Sequence, residues 1–493
     1  MKKLFSIIAA GGLILILFAT LSNNNHQDTS KFVTLVDGAF QVNGKPFYPV
    51  AINYVAGLRT DGIEFWPSPF PEYGPMAKKE LFDKDSSLKI LKADLEMIKQ
   101  MGFNTVRFTN IGEVKREPGV NEWFYINTIH SSNDTSRITF KDGITYVKYL
   151  KAIDELVALA KNVGLKIIFL VKLQEDAKGP KLFFKEVMTH FKNEPTIMAY
   201  DLFNEPVYFH RIDRTKTEIY KITKRWENFI HKYAPYQLTT IGLTGIGEVF
   251  EWDPNILNVD FISFHPYEYE PNQVMNEIYW YGKYVKKPWI IGETSFPSNN
   301  DSVTYEDQSR FAKQTLEQVC NCGGVGYSWW QYKDVTWGSY HSDYMGIVNW
   351  HGTTTTNNGH VIFGTPKPAE KIFREYKPVR NKTNCIKLDN YYNLSGYKDH
   401  RIFGKIVDEN ENPIEGAVIL GWSADWSRTA TTVSKIDGTF ELFSDFPFAN
   451  WIASATQFEM VRDGFWHDYQ KQKDSITKIT HYDLKKLKLK KIF

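Results

Sequence analysis

Short apolar segments alternate with amphipathic helical patterns along most of this 493-residue chain, and this alternation limits the folds open to it. Between residues 48 and 376, eight such segments have the composition of buried strands. Parallel strands covered by helices on both faces are mostly apolar, and eight of them close a TIM barrel. A doubly wound open sheet would need a glycine-rich phosphate-binding first turn, which the sequence lacks. We therefore predict an α/β fold with a (β/α)8 TIM barrel over residues 31–378.

The C-terminal part of the chain has a different pattern. Beyond about residue 390 the helical period disappears, and strand patterns at residues 401–408 and 413–418 flank a turn. The dipeptide Asp437-Gly438 marks another turn before a further strand pattern. Short strands separated by tight turns are typical of a β-sandwich. We therefore predict a linker over residues 379–398 and a small all-β sandwich domain over residues 399–493.

Composition argues against some partners and cofactors. The formal net charge is only +2 and no strongly basic face stands out, so we expect no nucleic-acid partner. The sparse cysteines, Cys320, Cys322 and Cys385, form neither a disulfide framework nor a strong metal motif. We interpret them as incidental and leave open a single disulfide to Cys385.

The first 30 residues have the form of an export segment. Lys2 and Lys3 precede an almost uninterrupted apolar run over residues 4–21, and a polar stretch follows it. This pattern predicts a signal peptide or, as the alternative, an uncleaved N-terminal membrane anchor. The lysine pair keeps the N-terminus inside in both cases, so the rest of the chain is exported. We expect a secreted, periplasmic or cell-surface protein whose membrane contact is limited to such an anchor.

Two glutamates each follow an apolar segment at the point where a strand should end. Glu205 lies in the string AYDLFNEP and Glu293 in PWIIGETSF. In a TIM barrel the C-terminal ends of the strands carry the catalytic groups. Two carboxyl groups on different strands of one barrel are the minimum that hydrolysis of a glycosidic bond requires. The sequence therefore indicates a glycoside hydrolase.

The neighbours of the two glutamates suggest different roles for them. Glu205 suits the acid, because Pro206 ends the strand and the Asn204 amide can bond a sugar hydroxyl. Glu293 suits the nucleophile if cationic and hydrogen-bonding groups on neighbouring strands keep it ionised. The candidates for that task are Arg107, His265 and Tyr267. Each residue alone could be a strand end or part of the core, but their placement on different strands favours a site.

These segments resemble the clan A glycoside hydrolases, and glycoside hydrolase family 5 in particular, which contains cellulases and β-mannanases. The resemblance extends over roughly residues 40–376. Five segments carry the resemblance, and they occur in the family's order and at the spacing expected for barrel strands. They are GFNTVRF (residues 102–108), PTIMAYDLFNEP (195–206), VDFISFHPY (259–267), KPWIIGETSF (287–296) and GYSWWQY (326–332).

The resemblance implies a retaining mechanism with Glu205 as acid/base and Glu293 as nucleophile. It also implies that Arg107 holds Glu293 ionised and that Asn204 contacts the sugar 2-hydroxyl. The remaining site residues that it implies are His265, Tyr267 bonded to the nucleophile, and Trp330 as the platform of the −1 subsite. No metal or organic cofactor is implied, the partner is a polysaccharide or oligosaccharide, and we expect a monomer.

The sequence departs from many family cellulases at the end of the third strand. Those cellulases carry an Asp/His pair there, whereas residues 168–174 read IFLVKLQ. This ending is nearer to the β-mannanase branch, so the expected substrate is a β-1,4-linked polysaccharide, mannan ahead of glucan. An exo-acting β-mannosidase of the same clan is the alternative. A non-catalytic carbohydrate-binding protein is a further alternative, which the presence of both glutamates disfavours.

Tryptophans outside the strand patterns suggest where sugars stack, because indoles bind the flat faces of pyranoses. Those expected at or near the barrel rim are Trp66, Trp123, Trp280, Trp337 and Trp350. Those of the C-terminal domain, which form a sugar-binding face or belong to a structural spacer, are Trp422, Trp426, Trp451 and Trp466. This domain resembles the carboxypeptidase regulatory-like (transthyretin-like) sandwich through residues 404–408, 413–418 and 437–440.

Overall fold

The computed structural model describes most of the chain. The described residues are 29–70, 73, 83–116, 124–131, 134–140, 143–173, 178–209, 213–267, 271–390, 398–465 and 471–492. Residues 1–28 of the predicted export segment and the tryptophans at positions 123 and 466 lie outside these ranges. No helix within them is long and apolar enough to cross a membrane.

Eight parallel strands form a closed barrel, as predicted. The strands are β1 (Val50–Thr60), β2 (Thr105–Thr109), β3 (Lys166–Leu170), β4 (Ile197–Asn204), β5 (Leu238–Leu243), β6 (Ile262–Phe264), β7 (Trp289–Ile291) and β8 (Tyr327–Trp329). Each strand pairs with the next, and β8 pairs with β1 to close the ring. Most strand residues are buried because helices cover the outside of the barrel.

Helices connect most of the barrel strands. The long helices are α1 (Lys84–Gln100), α2 (Gly143–Asn162), α3 (Lys178–Phe191), α4 (Lys216–Tyr233), α5 (Pro271–Tyr284) and α6 (Tyr305–Cys322). Short helical segments occur at Thr29–Lys31, Pro206–Phe209, Ile246–Phe250, Tyr340–Asp343, Glu370–Glu375 and Lys382–Asn384. Capping boxes fix two of the starts: Thr215 with Glu218 opens α4, and Thr304 with Asp307 opens α6.

Short antiparallel sheets cover the two ends of the barrel. Thr34–Val36, Ala39–Val42 and Lys45–Pro46 form a three-stranded sheet at the N-terminal end, where Phe40 packs edge-on against Phe261 with ring centroids 5.1 Å apart. At the opposite end, β1 continues into a hairpin with Phe65–Pro69. Two further sheets follow β2 and β8 in the chain. The first is formed by Lys115–Arg116, Phe124–Ser131 and Asp134–Thr139, and the second by Thr353–Thr355 and Val361–Phe363.

The C-terminal domain consists of two four-stranded sheets. Its strands are β9 (His400–Val407), β10 (Val418–Trp422), β11 (Thr429–Val433), β12 (Thr439–Ser444), β13 (Asn450–Ser454), β14 (Val461–Gly464), β15 (Lys471–Lys473) and β16 (Thr480–Lys488). The sheet orders are β12-β9-β16-β15 and β11-β10-β13-β14. The β9–β16 pair is parallel and the other pairs are antiparallel. A separate hydrophobic core that includes Ile402, Ile419 and Leu442 holds the sheets together.

The sandwich packs directly on the barrel. The indole Nε1 of Trp280 on α5 donates to the Gly416 carbonyl at 2.9 Å. The ammonium of Lys216, only 1% exposed, bonds to Asp253 at 3.1 Å and to the Ser454 hydroxyl at 2.9 Å. A buried lysine with a carboxylate partner and neutral acceptors keeps its charge satisfied, so this contact fixes the sandwich on the barrel.

A disulfide joins Cys322, at the end of α6, to Cys385 in the segment that leads to the sandwich. The interpretation of these two cysteines as incidental was therefore wrong, and the alternative pairing to Cys385 is the one formed. Cys320 is buried and unpaired. The bridge closes a loop with a sequence separation of 63 residues. Such a loop restricts the unfolded chain and favours the folded state by about 4 kcal/mol on the chain-entropy model.

We therefore expect Cys385→Ala to lower the thermal unfolding midpoint of the barrel by several degrees. Reductant should lower the midpoint of the wild-type protein to that of the variant and leave the variant unchanged. Calorimetry with and without dithiothreitol measures both effects. Equal midpoints for the oxidised wild type and the variant would contradict a stabilising bridge.

Candidate active site

The seven residues that the sequence singled out lie at one end of the barrel, where the strands finish. Arg107 is on β2, Asn204 ends β4, and Glu205 follows it. His265 and Tyr267 follow β6, Glu293 follows β7, and Trp330 follows β8. This is the end at which TIM barrels place their catalytic groups.

The buried guanidinium of Arg107 connects four side chains at the centre of this site. Its Nη1 donates to Glu293 Oε1 at 2.5 Å and to Asn53 Oδ1 at 2.8 Å. Nε donates to Asp201 Oδ2 at 2.8 Å, and Nη2 donates to Asn204 Oδ1 at 2.8 Å. Burial favours the neutral form, but the charges of Asp201 and Glu293 outweigh it and raise the pKa of Arg107. The residue is therefore a permanent cation in a fixed orientation.

Glu293 is 5% exposed and has a hydrogen-bond donor on each oxygen. Arg107 binds Oε1, and the Tyr267 hydroxyl donates to Oε2 at 3.1 Å. Burial raises the pKa of Glu293, and the charge and hydrogen bond of Arg107 oppose that rise without cancelling it. Gly292 allows the close packing here, since a Cβ atom at that position would lie 2.8 Å from His265 Nε2. Both donors stabilise the ionised carboxylate.

Glu205 leaves β4 in a left-handed backbone conformation, with a φ of 49°. Residues other than glycine, asparagine and aspartate seldom adopt this backbone conformation. Its N–H donates to the Gly242 carbonyl at 2.8 Å, and its carbonyl accepts from the Tyr208 N–H at 3.1 Å. These bonds turn the chain from β4 into the Pro206–Phe209 helix. Burial raises the pKa of Glu205 to about 7, against an opposing effect of Arg107.

His265 lies between the two glutamates. Its Nδ1 is 3.0 Å from Glu205 Oε1 and 3.6 Å from Glu293 Oε1. The ring is fully buried, and burial lowers the pKa of His265 to about 4. The imidazole is therefore neutral near pH 7 and adds no second positive charge beside Arg107. It can share one proton with the Glu205 carboxyl.

The two glutamates are close together. One oxygen of Glu205, one oxygen of Glu293 and a ring nitrogen of His265 all lie within 4.8 Å of one another. Carboxyl groups about 5 Å apart suit a retaining glycosidase, whereas inverting enzymes need a wider gap for water. The same three groups form the only candidate metal cluster among the described residues. The Arg107 guanidinium already occupies Glu293 Oε1, so a metal ion there would face a positive charge.

Trp330 and Trp337 form an aromatic pair beside these residues. Their ring centroids are 6.3 Å apart, and Trp337 is 40% exposed. The backbone N–H of Trp330 donates to the Thr294 carbonyl at 3.1 Å, so the end of β8 is bonded to the residue after Glu293. The peptide bond between Trp330 and Gln331 is cis. The pair offers flat apolar surface to a sugar ring.

The other tryptophans have different roles from those expected. Trp66 and Trp280 are buried, so neither offers the sugar-stacking surface suggested for tryptophans at or near the rim. Trp280 is instead part of the contact with the sandwich, and hydrophobic burial explains both positions. Trp350 is half-buried against Tyr344. In the sandwich, Trp451 is buried, while Trp426 is 69% exposed with its ring 5.0 Å from that of Trp422.

Sequence reasoning missed Asp201 and Asn53, the two other partners of Arg107. Both lie within strands of otherwise apolar composition, β4 and β1, and neither side chain is exposed. A polar side chain in a fully buried strand needs a hydrogen-bond partner, and that signal was available from the sequence. The sequence did not show that these two side chains point into the barrel mouth.

The geometry agrees with a comparison against known families. The family described as cellulase (glycosyl hydrolase family 5) matches residues 76–335, more than half of the chain. The chain belongs to glycosyl hydrolase family 5. It is therefore a glycoside hydrolase with a carbohydrate substrate, and the resemblance found in the sequence is confirmed.

Solved structures similar to this family 5 chain include two from Rhizomucor miehei. A family 5 mannosidase in complex with mannosyl-fructose is 13% identical, with 71% of this chain and 97% of that chain covered and a TM-score of 0.43. An endo-1,4-beta-mannanase is 16% identical, with 61% and 90% covered and a TM-score of 0.42. An FMN-binding beta-glucuronidase from Facaelibacterium prausnitzii is 12% identical, with 92% and 59% covered and a TM-score of 0.45. No curated protein matches the chain.

Replacing Asp201 tests whether Arg107 depends on its second carboxylate. We expect Asp201→Asn to lower kcat/KM about tenfold to a hundredfold, because a misplaced guanidinium no longer orients Glu293. Steady-state kinetics on any cleaved glycoside measures the loss. The control is Asp399→Asn, the same change at an exposed position. Full activity of Asp201→Asn would show that Asp201 does not position Arg107.

Proposed function

We propose that this protein hydrolyses a β-glycoside with retention of anomeric configuration, with Glu205 as acid/base and Glu293 as nucleophile. The observation that carries the proposal is the short distance between the two carboxyl groups, at most 4.8 Å between their nearest ligand oxygens. That distance allows a carboxylate to bond to the anomeric carbon while the other group protonates the leaving oxygen. Inverting enzymes need a wider separation, which makes room for the attacking water molecule.

The first step would form a glycosyl–enzyme intermediate. The Glu293 carboxylate, held by Arg107 and Tyr267, attacks the anomeric carbon as the bond to the leaving oxygen breaks. Glu205 transfers its proton to that oxygen, which departs as an alcohol. A pKa of about 7 supports this role, because the group keeps its proton at mildly acidic pH.

The second step would release the sugar. The Glu205 carboxylate, now ionised, removes a proton from water while the water oxygen attacks the anomeric carbon. The bond to Glu293 breaks and the product keeps its original configuration. Asn204 would contact the sugar, since Arg107 fixes its amide oxygen and leaves its NH2 group for a hydroxyl.

The proposed substrate is a β-1,4-linked polysaccharide, mannan ahead of glucan. Support for mannan comes from β3, which ends in Leu170 and continues as Val171 and Lys172 where many cellulases of the family carry an Asp/His pair. The Trp330 and Trp337 pair supports a chain of sugars, because two neighbouring indoles can hold successive pyranose rings.

An exo-acting β-mannosidase is the second candidate, and one observation favours it. The sheet formed by Lys115–Arg116, Phe124–Ser131 and Asp134–Thr139 packs against β1, whose end pairs with Phe65–Pro69. These elements lie beside the end of β1, at the barrel mouth. If they close one end of the groove, cleavage would be limited to the chain terminus.

We also propose that the protein is exported as a monomer, with residues 1–30 as signal peptide or anchor. The apolar run over residues 4–21 after two lysines supports export. The disulfide between Cys322 and Cys385 supports it independently, because such bridges form in oxidising compartments.

The dependence of activity on pH tests the two roles. Glu205 must be protonated, so kcat/KM should fall as pH rises through about 7, by up to tenfold per pH unit. Glu293 must be ionised, so kcat/KM should also fall toward acidic pH. With a dinitrophenyl glycoside, which needs no acid, Glu205→Gln should lose the alkaline limb. An alkaline limb that persists in Glu205→Gln would contradict the assignment.

Product analysis tests the substrate and the nucleophile together. We expect the full-length protein to release oligosaccharides from mannan or glucomannan rather than from carboxymethyl-cellulose or xylan. Glu293→Gln should reduce the rate by a factor of about a thousand or more, since a catalytic nucleophile is lost. Glu409→Gln, the same change on an exposed turn, should keep full activity. Activity limited to aryl monoglycosides would favour the exo-enzyme, and release that survives in Glu293→Gln would contradict the site.

A further inference from the structure

The side-chain amide of Asn53 has partners on both sides of the Glu293 carboxylate. Asn53 is fully buried on β1, where it pairs with Arg107 on β2. Its Oδ1 accepts from Arg107 Nη1 at 2.8 Å, and the same nitrogen donates to Glu293. Its Nδ2 donates to the Gly292 carbonyl at 2.9 Å. One amide therefore contacts both the cation that binds Glu293 and the residue that precedes Glu293 in the chain.

These two partners allow only one orientation of the amide. A guanidinium group donates hydrogen bonds and cannot accept them, whereas a carbonyl oxygen accepts them and cannot donate. Exchanging Oδ1 and Nδ2 of Asn53 would place two donors against each other at Arg107 and two acceptors against each other at Gly292. The amide is therefore held in a single orientation between the two.

The end of β8 also holds Asn53. Its Nδ2 lies 3.1 Å from the Trp329 carbonyl oxygen and 3.0 Å from Ser328 Oγ, so its two hydrogens are shared among three acceptors. The backbone carbonyl of Asn53 accepts from the Tyr332 N–H at 3.0 Å. Asn53 thus links β1, β2 and β8 to the segment that follows β7 and carries Glu293.

Glu293 needs support of this kind because it lies beyond the end of its own strand. The strand β7 is short, Trp289–Ile291, and Gly292 separates it from Glu293. On the side of β6, the Gly292 N–H donates to the Phe264 carbonyl at 2.8 Å. On the side of β8, the Gly292 carbonyl accepts from the Asn53 side chain. The backbone before Glu293 is therefore held on both sides.

We propose that Asn53 is a positioning residue for the nucleophile: it holds the backbone that carries Glu293 and orients the guanidinium that binds its carboxylate. This inference rests on the proposed role of Glu293. In that role a carboxylate oxygen forms a bond to the anomeric carbon while the bond from that carbon to the leaving oxygen breaks. A displacement of about 1 Å in such a group can cost about a hundredfold in rate.

Covalent labelling measures the position of the nucleophile separately from the amount of folded protein. The probe is a dinitrophenyl β-glycoside whose 2-hydroxyl is replaced by fluorine. Glu293 takes the sugar and dinitrophenolate leaves with the electron pair, a step that needs no acid. Fluorine destabilises the oxocarbenium-like transition state of the following hydrolysis, so the labelled protein accumulates. The sugar is mannose, or the one identified by product analysis.

Intact-protein mass spectrometry gives both the rate constant at a saturating probe concentration and the final labelled fraction. We expect Asn53→Ala to be labelled completely, but about tenfold to a hundredfold more slowly than the wild type. Asn53→Asp keeps the shape of the side chain and the oxygen that faces Arg107, but it places an acceptor opposite the Gly292 carbonyl. It should be slowed at least as much. A purely structural role predicts instead a smaller labelled fraction that forms at the wild-type rate.

Asn104→Ala is the matched control. The Asn104 amide also bonds to neighbouring backbone, but at the opposite end of the barrel, where β1 and β2 begin. Its Oδ1 accepts from the Val50 N–H at 3.0 Å, and its Nδ2 donates to the Tyr48 carbonyl at 2.8 Å. This variant should be labelled at the wild-type rate even if its thermal midpoint falls.

The outcomes distinguish this inference from the proposed function. If the wild type is not labelled on Glu293, the nucleophile role fails. If the wild type is labelled and Asn53→Asp reacts at the same rate, the positioning role of Asn53 is overturned and the proposed function stands. If only one Asn53 variant folds, its rate decides. If neither folds, Asn53 serves the stability of the barrel and the positioning role is likewise overturned.

Discussion

The Arg107 guanidinium, buried between two carboxylates, determines the arrangement of the other groups in the barrel mouth. It fixes Glu293 and Asp201 by charge and Asn53 and Asn204 by their amide oxygens. Burial favours a protonated Glu205, and the charge of Arg107 opposes this effect. The contact with Arg107 thus favours the ionised form of Glu293, whereas burial leaves Glu205 able to hold a proton.

The barrel provides the rigidity that this arrangement needs. Glu205 and Glu293 follow strands that pair on both sides, and β4 stays paired with β5 up to Asn204 and Gly242, with a register shift between Asp201 and Asn204. Small residues allow the close approach: a Cβ at Gly242 would lie 2.5 Å from the His265 ring. Reacting groups must be held within fractions of an ångström to be effective, and strand ends achieve this better than long loops.

Much of the fold could be predicted because its signals are local. Apolar periodicity located all eight barrel strands, because buried parallel strands are short runs of apolar residues. The sequence analysis missed the hairpin strand Phe65–Pro69, because its two prolines disfavour a strand. The disulfide of Cys385 and the contact between His265 and Glu205 join residues 60 or more positions apart, and no local pattern encodes such distances.

The retaining mechanism that we propose requires the two glutamates to be close enough for Glu293 to form a covalent intermediate. Proton NMR of the first product released from a cleaved β-glycoside, recorded before mutarotation, tests it most directly. The short distance between the carboxyl groups predicts the β-anomer as the first product. An α-anomer formed first would show that water attacks the anomeric carbon directly and would contradict the account.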